Sequence, residues 1–497
     1  MFKSTLKLNV LANFGGKAWS GLIQLVFVPV YIKFLGMEAF GLIGFFIMLK
    51  GVLSLLDLGL STTLNRELAR RSANGNAQET RDLVRTLEWI YWPVAIVIAA
   101  GIIVLAPWIA RSWVHGKGLP AQSVQHAIVL MGLVVAAQWP YSLYSGGLVG
   151  LQKQVLLNTI RVSMATIQAG GAVLVLWLIS QSIEAYFMWQ IGILGIQTVL
   201  TGYFLRLSLP KSAQAATFNR YLLRQCWRFA VGMTGISAVT IILTQTDKVI
   251  LSKLLSLEQF GYYMLAFIFG NALLFLVTPV SGALFPKLSE LVATGNTDEL
   301  RRLYHKCCQV VSLFVFPVGT LIALFPREIL MLWTRDPSIV ENTHLLLSLV
   351  IIGFLLNAVV SIPFVLQLAY GWTSLAFYKN IVAIIFLVPL WLLLIPRLGA
   401  VGGAIIWVLL NAGYLLVEIP VMHRRLISHD MWHWYIVDVG LPAVCCVVIG
   451  VIIKMFFADN VTTMMRLTAL TIALGGMFLA CGLALPFSRD YLKRVLL

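Results

Sequence analysis

Four basic residues lie inside long apolar segments of the chain: Lys17, Lys50, Arg161 and Lys248. A charge in hydrocarbon costs about 2.5–3.5 kcal/mol by insertion measurements, so such residues usually face a cavity or an opposite charge. Lys17 and Lys50 would lie at similar depth on consecutive helices, where they repel each other unless an anion or water lies between them. Alternatively, these polar and charged groups pair with one another in a static core, or the basic side chains extend to the lipid headgroups. The second alternative is the simpler explanation for Arg161.

Polar residues accompany the first two lysines at helical spacing. One stripe consists of Asn13, Lys17, Ser20 and Gln24, and a second of Lys50, Ser54, Asp57 and Ser61. Steps of three and four residues place side chains on one face of a helix. Asp57 could therefore act as the anion between the two lysines.

The composition identifies the environment of these residues. Hydrophobic residues make up 60% of the chain and charged residues 11%, against roughly 45–50% and 25% in soluble domains. Apolar runs of about 20 residues, each long enough to cross a bilayer, recur along the chain. We predict an all-α polytopic membrane protein with about 14 transmembrane helices.

The predicted spans form two parallel six-helix lobes plus two extra C-terminal helices. They lie at 10–33, 38–60, 86–110, 124–148, 156–179, 185–205, 229–251, 258–282, 307–332, 342–368, 376–395, 400–422, 436–456 and 464–486. The corresponding division is an N-lobe at 1–205, a cytoplasmic loop at 206–228, a C-lobe at 229–425, and helices 13 and 14 with a tail at 426–497. Because most basic residues outside the spans fall on one side, both termini are predicted to be cytoplasmic.

The two lobes are predicted to be copies of one unit. Residues 34–41 match 254–261 without a gap, and identities at the same offset of 220 continue to residue 83. Parallel repeats place a substrate path at the interface between the halves. At this offset the first stripe maps onto Ser237, Thr240 and Thr244, which continue to Asp247 or Lys248. A local salt bridge or headgroup contact would also explain Asp247, Lys248 and Lys253.

Several other functions are excluded or disfavoured. The net charge of +16 reflects basic loops that orient a membrane protein, and no nucleic-acid partner is predicted. His429 and His433 have metal-binding spacing but lack a third ligand, so no metal site is predicted. Glu418 is expected to reach the headgroups or pair helices. No phosphate-binding loop or catalytic set is present, so the protein is not predicted to be an enzyme.

The chain resembles the polysaccharide transporter family, the O-antigen or oligosaccharide flippases of the multidrug/oligosaccharidyl-lipid/polysaccharide exporter superfamily. The motifs that carry the resemblance are Asn13-Phe-Gly-Gly, Tyr31-Ile-Lys-Phe-Leu-Gly-Met-Glu-Ala-Phe-Gly41, Asp57-Leu-Gly59, Asp247-Lys-Val-Ile-Leu-Ser-Lys253 and Phe260-Gly-Tyr-Tyr263. The resemblance runs over essentially the whole chain, and the order and duplication of the motifs make it specific.

The resemblance implies that the protein moves an undecaprenyl-pyrophosphate-linked oligosaccharide from the inner to the outer leaflet of a bacterial plasma membrane. Transport would proceed by alternating access and serve O-antigen, capsule or exopolysaccharide synthesis. The cations expected to meet the diphosphate are Lys17, Lys50, Lys248, Lys253 and Arg161. The polar residues expected to contact the cargo are Asn13, Ser20, Gln24, Asp57, Thr240, Thr244 and Asp247. No cofactor is expected beyond H⁺ or Na⁺ coupling, or the membrane potential.

Three alternatives remain open. A lipid II flippase for peptidoglycan synthesis would carry a cargo with the same polyprenyl diphosphate. A multidrug exporter of the same fold would need buried carboxylates for its cationic substrates, whereas the first helix offers Lys17 and no acid. A membrane-embedded glycan polymerase or ligase would need a larger outer loop. Expected partners are the lipid-linked glycan, membrane lipids and polysaccharide polymerase machinery.

Overall fold

The computed structural model describes residues 2–73, 76–456 and 463–487. These residues form helices joined by short connections, and the described ranges contain no β-strand. The chain divides into two compact units, Met1–Gly261 and Tyr262–Leu497. The predicted all-α polytopic fold is therefore confirmed.

The described residues of the first unit form eight helices and the first turn of a ninth. They are α1 (Phe2–Leu35), α2 (Met37–Leu53), α3 (Leu60–Ala73), α4 (Ala77–Trp108), α5 (Ala121–Gly150), α6 (Gln154–Leu178), α7 (Ile183–Ser208), α8 (Arg220–Leu254) and α9 (Leu257–Asn271). A 3₁₀ turn, Ser54–Asp57, follows α2, and a π-helical turn, Ile109–Trp113, follows α4.

The second unit begins within α9, and its described residues form ten further helices. They are α10 (Leu274–Thr294), α11 (Thr297–Leu324), α12 (Pro326–Thr334), α13 (Pro337–Ala369), α14 (Thr373–Leu398), α15 (Ala400–Gly413), α16 (Ile419–Leu426), α17 (Met431–His433), α18 (Leu441–Met455) and α19 (Thr463–Ala484). π-helical turns, Tyr414–Glu418 and Trp434–Gly440, join α15 to α16 and α17 to α18.

The membrane-spanning helices agree with the predicted number. Within the described ranges, 13 helical segments are long and apolar enough to cross a membrane. The polar helix α8 is not among them, but its 35 residues would extend over about 52 Å at 1.5 Å per residue. Counting α8 gives the 14 helices expected from the sequence.

The helix starts preserve the offset of the sequence repeat. Helices α2 and α9 begin at Met37 and Leu257, and helices α4 and α11 begin at Ala77 and Thr297. Each pair is separated by 220 positions, and an asparagine precedes both α4 and α11. Asn296 caps α11 by accepting a 3.2 Å hydrogen bond from the backbone N–H of Glu299. The 220-residue repeat of the sequence is therefore also present in the positions at which these helices begin.

Two glycines of the repeated motif allow α2 and the first turn of α9 to touch through their backbones. A Cβ atom added at Gly41 would lie 2.0 Å from the carbonyl oxygen of Leu257. A Cβ atom at Gly261 would lie 2.8 Å from the carbonyl oxygen of Met37. Because both distances are below any ordinary contact, only glycine fits at these positions. The repeated Phe-Gly pair is therefore explained by packing.

The connection between α7 and α8 is shorter than the predicted loop 206–228. Helix α7 continues to Ser208, and α8 begins at Arg220. The connection is fastened to α4, because Asp82 accepts a 2.7 Å hydrogen bond from the backbone N–H of Thr217. Thr86 accepts another, of 2.8 Å, from the backbone N–H of Asn219. These contacts fix where α8 starts and thus the position of its polar residues.

A buried ion pair connects three helices of the second unit. Glu418, at the end of the turn Tyr414–Glu418, pairs with Lys379 of α14 and accepts a 2.8 Å hydrogen bond from Gln367 of α13. The Lys379 ammonium also lies 4.2 Å from the ring centroid of Tyr414. Glu418 is 2% exposed, so it pairs helices, one of its two expected roles, and does not reach the headgroups.

Candidate functional site: the Lys50 cavity

The first unit contains an open cavity of about 560 Å³, which we call the Lys50 cavity. It is lined by Lys50, Leu53, Ser54, Asp57, Ser61, Val135, Gln138, Trp139, Tyr141, Ser142, Ser237, Thr240 and Ile241. The lining comes from the α2–α3 region, from α5 and from α8. Its volume lies within the range of about 300–1,000 Å³ that is usual for ligand pockets.

The wall formed by the α2–α3 region is not one continuous helix, as the predicted span 38–60 required. Helix α2 ends at Leu53, the chain then makes the 3₁₀ turn Ser54–Asp57, and Leu58 and Gly59 have φ values of 50° and 66°. These left-handed residues end the turn before α3 begins at Leu60. The second stripe of the sequence is therefore broken in the structure. Its four members nevertheless all line the cavity.

Asp57 is held in place by three hydroxyl groups. Its Oδ1 accepts hydrogen bonds from the Tyr91 hydroxyl at 2.5 Å and from Ser142 Oγ at 3.1 Å. Its Oδ2 accepts a 2.8 Å hydrogen bond from Ser61 Oγ. The side chains of Asp57 and Lys50 line the same cavity but form no ion pair with each other. Hydroxyl donors stabilise the carboxylate instead. The expected place of Asp57 between Lys50 and Lys17 stays a prediction, because the Lys17 side chain lies outside the described residues.

Lys50 presents an ammonium group to the cavity without an ion-pair partner in the described part of the chain. Its side chain is solvent-accessible, and its Nζ lies 5.4 Å from the ring centroid of Phe46. The next residue, Gly51, allows Gln245 of α8 to pack closely, since a Cβ atom there would lie 2.7 Å from the Gln245 amide carbon. An unpaired ammonium facing a cavity inside the membrane favours an anionic ligand.

Helix α5 contributes cavity residues that the sequence analysis missed. Gln138, Trp139, Tyr141 and Ser142 interrupt the predicted apolar span 124–148 with a polar run. The Tyr141 hydroxyl is buried and has no hydrogen-bond partner among the described residues. A buried hydroxyl without a partner is costly. The polar residues on either side of Pro140 could have indicated a cavity from the sequence. The hydrogen bond from Ser142 to Asp57 could not have been predicted, because it depends on tertiary contacts.

Helix α8 brings two residues of the mapped stripe, Ser237 and Thr240, to the cavity. Thr244, one turn further, donates a 2.9 Å hydrogen bond to the carbonyl oxygen of Thr240 and does not line it. Asp247 and Lys248 are each 5% exposed and form a 3.2 Å ion pair. The structure thus contains the local salt bridge that the sequence left as one explanation of this pair.

The other predicted site residues lie away from the Lys50 cavity. The Lys253 ammonium lies 5.2 Å from the ring centroid of Trp113. Arg161 of α6 donates a 3.4 Å hydrogen bond to Asn158, and Ser20 of α1 donates one of 2.8 Å to the Gly16 carbonyl. Gln24 is exposed on α1.

Two predicted residues of α1 have side chains that lie outside the described part of the structure, Asn13 and Lys17. Their contacts with the cargo therefore stay predictions. Of the five residues predicted to be cargo-binding cations, Lys50 lines the cavity. The position of the Lys17 side chain is not described, so its role stays a prediction.

Comparison with known proteins agrees with this architecture. The profile of a family described as "Polysaccharide biosynthesis protein" matches residues 31–334. A Shigella flexneri protein named "Putative O-antigen transporter" is 22% identical over 399 residues, covering 80% of this chain and 93% of its own length.

Solved structures of transporters share the fold. The lipid II flippase MurJ in an inward closed conformation superposes with a TM-score of 0.72 at 13% identity, covering 98% of this chain and 99% of its own. An inward-facing multidrug resistance MATE family transporter of the MOP superfamily gives 0.65 at 13% identity, covering 82% and 95%. With its profile matched over more than half of the chain, the protein belongs to the polysaccharide biosynthesis protein family and has the fold of MurJ and MATE transporters.

Proposed function

We propose that the protein is a flippase that moves an undecaprenyl-pyrophosphate-linked oligosaccharide from the cytoplasmic to the outer leaflet of a bacterial inner membrane. The product would serve the synthesis of a surface polysaccharide, such as O-antigen, capsule or exopolysaccharide. Family membership and a multi-pass transporter fold support a lipid-linked cargo. The single observation that carries the choice of an anionic headgroup is the Lys50 cavity.

The charges of the cavity favour an anion over a cation. Its carboxylate, Asp57, already accepts hydrogen bonds from three hydroxyl groups. Its ammonium, on Lys50, has no ion-pair partner in the described ranges. A lysine binds phosphate as a point charge, so a diphosphate group would supply the missing countercharge. A cationic drug would meet the unpaired ammonium, which disfavours the multidrug exporter.

The neutral lining of the cavity suits a sugar next to the diphosphate. Gln138, Ser54, Ser237 and Thr240 offer amide and hydroxyl groups, and Trp139 adds an aromatic ring. A volume of about 560 Å³ would hold the diphosphate and the first sugars rather than a whole oligosaccharide.

In this proposal, transport proceeds by alternating access and is coupled to H⁺, Na⁺ or the membrane potential. Both termini lie in the cytoplasm, and polysaccharide polymerase machinery receives the flipped glycan. Lys17, Lys248, Lys253 and Arg161 remain candidates for cargo contacts at other stages of the cycle. A lipid II flippase is the second candidate, because MurJ shares the fold over nearly the whole chain.

The test is the leaflet location of polyprenyl-linked glycans in cells that lack the protein. We expect one oligosaccharide-lipid to accumulate on the cytoplasmic side, with surface polysaccharide lost and peptidoglycan intact. Accumulation of lipid II with impaired peptidoglycan synthesis would assign the second candidate. Normal glycan distribution together with new sensitivity to cationic drugs would overturn the proposal in favour of an exporter.

A further inference from the structure

Three side chains of the second unit converge at a site that the transport proposal does not use. They are His305 of α11, His433 at the end of α17, and Asp438 in the turn Trp434–Gly440. One ligand atom from each residue lies within 4.8 Å of the other two. Two imidazoles and a carboxylate are a ligand set that zinc binds readily.

The π-helical turn explains how His433 and Asp438 reach the same point. Five residues of an α-helix advance about 1.4 turns, which would point these side chains about 140° apart. In a π-helical turn the hydrogen bonds run from residue i to i+5, so residues five apart stack over one another. His433 Nε2 accordingly lies 3.8 Å from Asp438 Oδ1. Such turns occur frequently at functional sites.

Asp438 is completely buried and faces histidines rather than a permanent cation. Its Oδ2 lies 2.5 Å from His305 Nδ1, and its Oδ1 accepts a 2.9 Å hydrogen bond from Gln309 Nε2. Within the described ranges, its ion-pair partners are His305 and His433. A buried carboxylate needs a compensating positive charge, which a protonated histidine or a metal ion can supply.

A second carboxylate lies on the other side of the His305 ring, at a distance longer than a hydrogen bond. Asp430 Oδ2 lies 3.7 Å from His305 Nε2 and 3.3 Å from Arg301 Nε. Histidines that bind metals usually present their second ring nitrogen to a carboxylate, which fixes the tautomer and raises the basicity of the ligand. Gln309 acts similarly on Asp438. The cluster therefore has one hydrogen bond that supports a ligand, from Gln309, and a nearby negative charge, on Asp430, as well as its three ligands.

We propose that His305, His433 and Asp438 bind a divalent transition-metal ion of the zinc class. Ligand atoms around a tetrahedral zinc ion are about 3.3 Å apart at bond lengths near 2.0 Å. His305 Nδ1 lies 2.5 Å from Oδ2 of Asp438, and His433 Nε2 lies 3.8 Å from Oδ1 of the same carboxylate. Small side-chain movements would therefore bring the three ligand atoms, all within 4.8 Å of one another, to this separation. The metal ion would bind Nδ1 of His305 as that nitrogen releases its proton to solvent. His433, whose side chain is 48% exposed, gives the ion a path of entry.

The site would fasten α11 to the segment that links α17 and α18. The alternative to a metal ion is a proton shared between His305 and Asp438. Such a proton would not explain why His433 also lies next to Asp438. His429, four positions before His433, is exposed and takes no part in the cluster. The partner of His433 is thus His305, more than a hundred positions earlier, and not the neighbour that the sequence suggested.

The experiment uses the full-length protein in detergent, purified without a histidine tag and treated with chelator. Zn²⁺ binding is measured by calorimetry, and Co²⁺ is added as a spectroscopic probe. We expect one equivalent of Zn²⁺, a raised Tm, and visible Co²⁺ absorption bands typical of four-coordinate nitrogen and oxygen ligation. His433→Ala should lower the affinity more than a hundredfold, and Asp430→Asn should lower it about ten- to hundredfold.

His429→Ala is the matched control, because it removes an exposed histidine of the same loop, and it should bind as the wild type does. His433→Cys should retain binding and add a thiolate-to-cobalt charge-transfer band that the wild type lacks. Equal affinity in His433→Ala and His429→Ala would overturn the proposal. So would a thiolate band in the wild type, which would place the metal on cysteines such as the adjacent Cys446 and Cys481.

Discussion

The hydroxyl of Tyr91 donates a 2.5 Å hydrogen bond to Oδ1 of Asp57. This bond ties the middle of α4 to the 3₁₀ turn at the end of α2. Tyr91 is 2% exposed and packs in a hydrophobic core cluster of the first unit with Leu60, Leu64 and Leu87. The hydrophobic core thus positions the wall of the cavity. Because Asp57 is bonded to hydroxyl groups, this lining carboxylate does not pair with Lys50.

Removing the Tyr91 hydroxyl should destabilise the first unit. Tyr91→Phe keeps the ring in the core but takes one of three hydroxyl donors from Asp57. The expected loss is about 1.5–3 kcal/mol, as for hydrogen bonds to charged groups. Thermal unfolding in detergent measures it, with Tyr203→Phe as the control because Tyr203 is 55% exposed. Equal Tm values for the two variants would contradict a structural role of this bond.

Neutralising Lys50 should impair export while leaving the protein folded. Loss of a charged contact to phosphate is worth about 1.5–3 kcal/mol, or about ten- to hundredfold in binding. Surface glycan in complemented cells, normalised to protein in the membrane, measures the effect of Lys50→Gln. Lys50→Arg should restore part of the activity because it keeps the charge.

The control for Lys50 is Lys153→Gln, since Lys153 is exposed between α5 and α6. It should export normally. Lys17→Gln is expected to behave as Lys50→Gln does, which extends the test to the first helix. Near-normal surface glycan in both the Lys17 and the Lys50 variants would contradict the cargo assignment.

A methyl group at Gly41 should disturb the contact between α2 and α9. The added Cβ would lie 2.0 Å from a backbone oxygen of Leu257, which cannot move without shifting the helix. Overpacking of this kind costs about 1–3 kcal/mol. Gly41→Ala should therefore lower Tm, whereas Gly101→Ala, with no atom within 4 Å of its added Cβ, should not. A Tm for Gly41→Ala equal to that of Gly101→Ala would mean that the helices separate at little cost.

The Lys379–Glu418 pair should show strong coupling. Lys379→Met leaves a buried carboxylate without its cation, which costs about 3–5 kcal/mol. The double variant with Glu418→Gln should recover most of this loss, because an amide carries no charge and can still accept the hydrogen bond from Gln367. A double-mutant cycle on unfolding free energies gives the coupling.

The control for this pair is the exposed one formed by Arg327 and Glu341, at a distance of 2.7 Å. Its removal should cost at most about 1 kcal/mol, since solvent screens exposed charges. Purely additive losses at Lys379 and Glu418 would show that the buried pair contributes no more than the exposed one.

Sequence periodicity predicted the helices because membrane spans have a strong compositional signal. It also placed Lys50, Ser54, Asp57 and Ser61 on one surface, which the structure shows as cavity lining. The break at Leu58 and Gly59 was missed, since the Asp-Leu-Gly sequence fits a helix end as well as a left-handed turn.

Pairings between distant residues were beyond the sequence. The hydrogen bond from Tyr91 to Asp57 joins residues 34 positions apart, and nothing in the local pattern of either segment marks the other. For the same reason His433 was compared with His429, its neighbour in sequence. Its actual partners, His305 and Asp438, are brought together by helix packing and by a π-helical turn that periodicity of 3.6 residues does not detect.

The interruption of α2 by Ser54–Asp57 and the left-handed residues Leu58 and Gly59 has a consequence for hydration. Backbone that leaves the α-helical pattern is tolerated at membrane depth only where protein or water covers it, because lipid tails offer no hydrogen bonds. Ser54 and Asp57 of this turn line the Lys50 cavity, so we expect water in the cavity to reach the turn. A charged headgroup that approaches Lys50 would leave bulk water but would still contact water and fixed polar groups in the cavity. Its charge would therefore not have to enter the hydrocarbon core of the membrane.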